Sequence, residues 1–169
     1  MIKHAVIYKY ELPTPYTVKL INLRFLDDYV MGIKRNKKDV HVYELHGMTY
    51  KQMRRNILSP DKDELIERIN SNFPTGGDIY SQSAYYFRAF SRSQIFYDAN
   101  HRTGYFCLWQ LIHHKGYELK ATIDDVQMLG TYLKNFSYVN QGDMDIFLKE
   151  KDEVYDEIYK WLRKELDLG

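Results

Sequence analysis

Apolar residues recur at intervals of three and four along most of this chain, and that period predicts a mainly α-helical fold. The predicted helices span residues 17–31, 49–58, 61–73, 79–92, 103–115, 122–136 and 143–166. Clusters of Gly, Pro, Asn and Ser separate several of them, as turns do. We therefore expect a helical bundle of about seven helices, an estimate that follows from the period alone.

Two N-terminal stretches alternate apolar and polar residues instead, and this alternation predicts short strands over residues 2–10 and 40–45. Paired with each other, they would form a minor two-stranded β element. His41 and His46 lie in or beside the second stretch. They join no cysteine and no HExxH pattern, so we interpret them as surface or half-buried histidines rather than zinc ligands.

Composition narrows the class of protein. The 169 residues fit one domain with a sizeable core, and 15% of them are aromatic, including sixteen tyrosines. A net charge of +1 gives no electrostatic reason to expect a nucleic-acid or membrane partner. The single cysteine, Cys107, lies in an apolar run and is expected in the core. With no signal peptide and no apolar run of ~20 residues, the expected location is the cytoplasm.

The segment from Gln94 to Gly104, which we call the 94–104 segment, does not fit a simple helical pattern. It joins two aromatic helices and holds an acid, an amide, a histidine and an arginine within five residues. Ala99 and Asn100 are placed to begin the second helix, with Asn100 near its N-cap. The first amide groups of a helix lack internal partners, and together with the helix dipole they attract anions.

The charged residues of this segment allow two interpretations. His101 and Arg102 fall in the first helical turn, where the dipole disfavours cations unless an anion is bound. Asp98, just outside the helix, could hold Mg²⁺ bridging phosphate oxygens. An ordinary helix start, with Asp98 or Asn100 as cap and Arg102 in solvent, explains the same spacing about equally well.

The 94–104 segment resembles the signature loop of the Fic/Doc (death-on-curing) family, which reads His-x-Phe-x-Asp/Glu-Gly/Ala-Asn-x-Arg. The positions that match in register are Phe96, Asp98, Ala99, Asn100, Arg102 and Thr103. Thr103 lies just beyond this signature and matches the Lys-Arg-Thr ending that is frequent in the Doc branch. The resemblance covers roughly residues 45–133 as the core of a single domain, residues 1–169. It leaves residues 1–44 as an N-terminal addition, and it implies a Fic/Doc-like helical bundle.

The resemblance implies roles for the matched residues and their neighbours. Asp98 would bind Mg²⁺, and Arg102 would pair with the β- and γ-phosphates of ATP. Asn100 and the helix amides would hold the phosphates, which makes Ala99, His101 and Thr103 the remaining candidates for nucleotide contact. The same resemblance expects residues 93–100 to form an exposed loop, anchored by an inward-pointing Phe96. Residues near 55–60 would form a flap that aligns a target, although a solvated basic face explains them equally well.

The family's catalytic histidine falls on Gln94, and this departure decides the expected function. A glutamine amide cannot take a proton as a general base near neutral pH. We therefore expect a relative of enzymes that transfer AMP or phosphate from a nucleotide to a protein hydroxyl, with activity weak or lost. The alternatives are a non-catalytic nucleotide- or protein-binding module, and the toxin of a toxin–antitoxin pair. The expected partners are a nucleotide and either a target protein or an antitoxin.

Overall fold

The structure, a computed structural model, describes residues 5–36, 44–45, 47–133, 139 and 141–169. It confirms a mainly helical fold, with eight α-helices in the described residues. They are α1 (Pro15–Asn36), α2 (Tyr50–Ile57), α3 (Asp61–Ser71), α4 (Ile79–Ser93), α5 (Asn100–His114), α6 (Ile123–Leu133), α7 (Met144–Lys149) and α8 (Glu153–Glu165). Short 3₁₀ helices span Lys9–Glu11 and Gln141–Asp143. None of the helices in this described part is both long and apolar enough to span a membrane.

The β structure consists of two small antiparallel pairs. Strand β1 (Glu44–Leu45) pairs with β2 (Met48–Thr49), which gives the minor two-stranded element. Strand β3 (Glu118–Leu119) pairs with β4 (Leu166–Asp167), a contact between the middle and the end of the chain. Residues 40–43 of the predicted second strand, and with them His41 and also His46, lie outside the described residues.

The strand predicted over residues 2–10 is wrong wherever the structure describes it. Residues 5–8 form no strand, and the 3₁₀ helix follows them. The backbone of Ile7 is instead bonded to a side chain. Its amide donates to Oε1 of Gln82 and its carbonyl accepts from Nε2 of Gln82, both at 2.9 Å. A buried glutamine on α4 thus supplies the two hydrogen bonds that a neighbouring strand would have offered.

Helix α4 is the centre of the fold. Twelve of its fifteen residues are buried, and it packs against α5, α7 and α8. Helices α4 and α5, on either side of the 94–104 segment, are therefore neighbours. Gly104 on α5 explains how closely they approach, because a Cβ atom at this position would lie 2.6 Å from the Cβ of Phe90. Only a glycine leaves room for that contact.

Helix α1 and the residues before it belong to the same core as the rest of the chain. Its apolar face is buried against α5, α3 and α2. Lys19, only 5% exposed, ties α1 to α3 by placing its Nζ 2.6 Å from Oδ1 of Asp63. The helix runs to Asn36, past the predicted end at residue 31 and through Gly32. One glycine inside a helix costs only about 1 kcal/mol, which the remaining turns of α1 readily offset.

The single C-terminal helix predicted over residues 143–166 is wrong, because the chain breaks it into α7 and α8 and then enters β4. Glu150 adopts an extended conformation after α7, and Asp152 then caps α8 by accepting a hydrogen bond from the amide of Tyr155 at 2.9 Å. The apolar period continues across the break, so the pattern alone does not show it.

The break coincides with a buried ion pair. Arg88, in the middle of α4 and 1% exposed, donates from Nε and Nη2 to the two carboxylate oxygens of Asp152, both at 2.9 Å. Its Nη1 donates to the carbonyl of Phe147 at 2.8 Å, and its guanidinium lies 3.9 Å from the centre of the Phe147 ring. Arg92 adds a 2.6 Å contact from Nη1 to the same carboxylate. Each of the three nitrogens of the Arg88 guanidinium thus donates a hydrogen bond.

These contacts change the acidity of Asp152. Burial by itself raises the pKa of this carboxyl, but hydrogen bonds from Arg88 and the Tyr155 amide, with the charges of Arg88 and Arg92, outweigh it and lower the pKa below its ordinary value. A carboxyl whose pKa is lowered by folding stabilises the fold above its unfolded pKa. That stabilisation is lost as the pH falls through the folded pKa.

Replacing Asp152 by Asn should therefore destabilise the protein by about 3–5 kcal/mol at neutral pH, because it leaves the Arg88 charge buried without its counter-ion. The loss should be full above about pH 5 and shrink below about pH 4, where the carboxyl of the unfolded parent takes up a proton and the stabilisation that Asp152 gives the parent begins to fall. Urea unfolding followed by circular dichroism at several pH values measures both effects. Asp156→Asn, an exposed acid in the same first turn of α8, is the matched control. Equal losses in the two variants at neutral pH would contradict the role given to Asp152.

Candidate functional site

The loop between α4 and α5 spans residues 94–99, and strained backbone marks both of its ends. Gln94 has φ 45° and ψ 54°, and Ala99 has φ 62° and ψ 26°. They are the two non-glycine residues with positive φ in the described residues. This left-handed conformation costs an ordinary residue roughly 1–2 kcal/mol, so the surrounding contacts must hold the loop in place.

Phe96 and Asn100 provide the first of these contacts. The Phe96 side chain is 1% exposed, which confirms the prediction that it points inward. The Asn100 side chain accepts from the Phe96 amide at 2.9 Å and donates to the Phe96 carbonyl at 2.7 Å. Asn100 is the first residue of α5, and the N-cap position belongs to Ala99. The Asn100 amide group therefore closes the loop on itself.

The loop is less exposed than predicted. Gln94, Tyr97 and Asp98 face solvent, but Ile95 is as buried as Phe96, and Asn100 is only 8% exposed. Ser93 is still the last residue of α4. The description of residues 93–100 as an exposed loop is thus wrong for about half of its length, because the loop folds its apolar side chains back into the core.

Asn22 on α1 provides the second contact, and sequence reasoning missed it. Its Nδ2 donates to the carbonyl of Asp98 at 2.9 Å and to Oγ1 of Thr103 at 3.0 Å. Both Asn22 and Thr103 are buried. A signal was present in the sequence, because Asn22 lies one helical turn from each of two apolar residues, Val18 and Leu26, on the buried face of α1. A polar residue inside such a stripe needs a polar partner elsewhere.

A narrow cleft of about 20 Å³ opens where the loop meets α1 and α2, with room for little more than one water molecule. Asp98, Ala99 and Arg102 form one wall. The guanidinium of Arg102 lies 5.2 Å from the centre of the Phe25 ring, and its Nη2 lies 3.8 Å from Oδ2 of Asp98. The Arg102 side chain is 27% exposed and the Asp98 side chain 50% exposed, so both remain accessible from outside.

The remaining candidates lie elsewhere. His101 turns toward the interior, with its ring centre 6.4 Å from that of Phe87 and against the backbone of Gly130 on α6. Thr103 is fully buried and serves as the acceptor for Asn22. Gln94 is exposed at the C-terminal end of α4. The structure thus brings Asp98, Ala99 and Arg102 together, uses Asn100 and Thr103 to hold the loop, and sends His101 into the helix packing.

The chemistry available at this point is that of an anion site. The Thr103 amide is bonded to the Ala99 carbonyl at 2.8 Å, whereas the first amides of a helix, here at residues 100–102, have no partner within it. These amides, the helix dipole and the Arg102 guanidinium all favour a negative group. No cluster of three or more His, Cys, Asp or Glu side chains suited to a metal occurs within the described ranges. Mg²⁺ at a phosphate needs only one or two carboxylates, a requirement that Asp98 fits.

Comparison with known protein families, with curated proteins and with solved structures finds no match for this chain.

Asn100→Ala should lower the free energy of unfolding by about 2 kcal/mol in the absence of any ligand, since two buried hydrogen bonds to Phe96 are lost at about 1 kcal/mol each. Asn100→Asp should cost at least as much, because it places an oxygen against the Phe96 carbonyl. Urea unfolding measures both. Asn72→Ala, which removes one side-chain hydrogen bond at the end of α3, is the control and should cost about half as much. If Asn100→Ala has the same free energy of unfolding as the parent, the loop does not depend on this side chain.

Proposed function

We propose that this chain is a Fic/Doc-like protein that binds the phosphates of a nucleotide at the N-terminus of α5, with transfer activity that is weak or lost. The observation that carries the proposal is the closed loop between α4 and α5. The two hydrogen bonds between Phe96 and Asn100, which we call the Phe96–Asn100 clasp, close this loop. They leave Asp98, Arg102 and the first amides of α5 together at one end of the helix. The Fic/Doc signature places its phosphate-binding groups at the same positions of the motif.

The electrostatics of Arg102 support an anion at this end of α5. A cation in the first turn of a helix is opposed by the dipole, and Asp98 at 3.8 Å compensates for it only loosely. A phosphate in contact with the guanidinium and the amides would satisfy all of these groups at once. Mg²⁺ bound at Asp98 would supply positive charge to the phosphate oxygens. The cleft beside α1 is too small for a nucleoside, so the nucleoside would lie on the solvent side of Asp98 and Arg102.

The weakness of the activity follows from Gln94. Transfer requires a protein hydroxyl to attack a phosphorus atom of ATP and to lose its proton, while the bond from that phosphorus to the leaving group breaks. The leaving group would be pyrophosphate when AMP is transferred and ADP when phosphate is transferred. The Gln94 amide can donate to or accept from that hydroxyl and so orient it, but it cannot keep the proton. The proton would pass to water instead. Because general-base catalysis contributes about 10²- to 10⁴-fold, such an enzyme would be slow.

A second candidate is a nucleotide-binding module without catalysis, and the same residue favours it. Gln94 removes the base, whereas Asp98, Asn100 and Arg102 keep the groups that phosphate and Mg²⁺ would need. Such a module would change its contacts with a partner protein according to nucleotide occupancy.

Arg102→Ala should weaken the binding of ATP with Mg²⁺ by about 10- to 150-fold, the equivalent of about 1.5–3 kcal/mol for a charge-assisted hydrogen bond. Isothermal titration calorimetry on the parent and the variant measures this change. Lys164→Ala, which removes an exposed cation from the last turn of α8, is the control and should bind as the parent does. If the parent and the Arg102→Ala variant bind ATP with Mg²⁺ equally tightly, the proposed phosphate site is refuted.

Gln94→His should restore a base with a pKa near the working pH, and transfer to a target or to the chain's own tyrosines should rise by as much as about 10²- to 10⁴-fold. The assay uses ATP labelled at the α or γ phosphate, with a cell lysate as the source of targets. Gln94→His/Asp98→Ala, which lacks the proposed metal ligand, is the control. Label in the single variant alone supports a disabled transferase. Equal background in the parent and both variants eliminates the enzyme and leaves the binding module.

A further inference from the structure

The exposed face of α1 carries a regular stripe of residues. Thr17, Ile21, Arg24, Asp28 and Met31 follow one another at intervals of four, three, four and three residues. This 3.5-residue repeat produces a straight line along a helix, the pattern by which one helix packs lengthwise against another. The stripe lies opposite the buried face of α1, which already packs against the rest of the chain.

The apolar members of this face are unusually accessible. Met31 is 49% exposed, and Leu20, next to Ile21 in the chain, is 41% exposed. Beside them lies a surface hollow of about 580 Å³, whose apolar lining comes from Leu20, Ile21, Phe25, Phe106 and Ile123. The hollow lies between α1, α5 and the first residue of α6, and is wide enough for side chains from a second helix.

The charges of the stripe indicate what that helix is. Arg24 and Asp28 are exposed and one turn apart, and neither forms an ion pair with any residue of the described part. A helix that satisfies both must offer an acid and a base one turn apart in the reverse order. An antiparallel copy of α1 offers that arrangement by symmetry.

We propose that this face of α1 is a homodimer interface, in which α1 packs antiparallel against α1 of a second copy about a two-fold axis midway between Arg24 and Asp28. Arg24 then faces the partner's Asp28, and Asp28 faces the partner's Arg24, so that two equivalent ion pairs form. This inference rests on α1 alone and does not depend on the nucleotide site.

The same charges fix the register of the two helices. An axis at Arg24 would place two guanidinium groups against each other, and one at Asp28 would do the same with two carboxylates. With the axis between them, Ile21 faces the partner's Met31, whose side chain can enter the hollow. Leu20 faces the partner's Gly32.

Gly32 gives independent support for this register. Within the described residues, no heavy atom lies within 4 Å of the position that a Cβ on Gly32 would occupy, so this part of a single chain gives no reason for a glycine there. Inside a helix, glycine costs about 1 kcal/mol relative to alanine. Close approach of the partner's Leu20 supplies the reason that the monomer lacks.

The test measures the mass of the full chain in solution by sedimentation and light scattering over a range of concentrations. The parent should show a dimer of twice the chain mass of 20.3 kDa. Arg24→Asp and Asp28→Arg each replace both ion pairs by like-charged pairs and should weaken the dimer by about 100-fold or more. The double variant Arg24→Asp/Asp28→Arg should dimerise as the parent does. An equimolar mixture of the two single variants should also form dimers, because each supplies the charge that the other lacks.

Lys51→Glu, a charge reversal on the exposed face of α2, is the control and should leave the dimer unchanged. Circular dichroism checks that each variant is folded. If a charge reversal lowers the unfolding midpoint, Arg24→Gln/Asp28→Asn takes its place, and this neutral variant should weaken the dimer about tenfold. A parent that stays monomeric up to millimolar concentration would overturn the proposal and leave this face to a helix of another protein. Single and neutral variants that dimerise like the parent, or a double variant that does not recover, would overturn it as well.

Discussion

The buried guanidinium of Arg88 is the constraint on which much of the architecture depends. A charge in the middle of the most buried helix is tolerable only with a counter-ion and a set of acceptors around it. Asp152 and the Phe147 carbonyl provide that set, and both come from the C-terminal part of the chain. To deliver them, the chain must stop one helix, turn, and begin another with Asp152 as its cap. The ion pair thus locates the α7–α8 break and fixes α8 against α4.

A fixed α4 in turn positions the loop that follows it. Gly104 lets α5 approach α4 closely, while the clasp between Phe96 and Asn100 closes the connection between the two helices. Asn22 then ties this connection to α1. These contacts together offset the strain of the left-handed residues Gln94 and Ala99, and they hold Asp98 and Arg102 in one place without the help of a ligand. Residues held in this way would need little rearrangement to bind the proposed anion.

The helical period of the sequence was sufficient to predict most helices, because apolar burial decides where they form. It could not predict the conformation of residues 5–8, since Gln82 supplies hydrogen bonds that only the folded chain brings near. The break before Asp152 could not be predicted for a related reason: it depends on the ion pair with Arg88, which is distant in the sequence. In the candidate site, the sequence predicted a connection between two helices with Phe96 pointing inward, as the structure has it. It did not reveal that His101 turns inward, since neighbouring helical positions differ in direction and only packing shows which side is buried.

The bond between Asn22 and the loop has a consequence for the synthesis of the chain. Asn22 and Asp98 are 76 positions apart, and a ribosome adds that many residues in roughly 4–15 s. Throughout this interval the Asn22 side chain lacks its partner Asp98 and is hydrogen-bonded to water. The surface of α1 that will later be buried has no α5 to cover it. Contacts of such long range also slow the folding of a released chain, because a long loop must close before they form. Helix α1 leaves the ribosome before α5 and is thus covered only after α5 has been made, and a nascent chain that ends before about residue 100 presents an apolar α1 to whatever chaperone meets it.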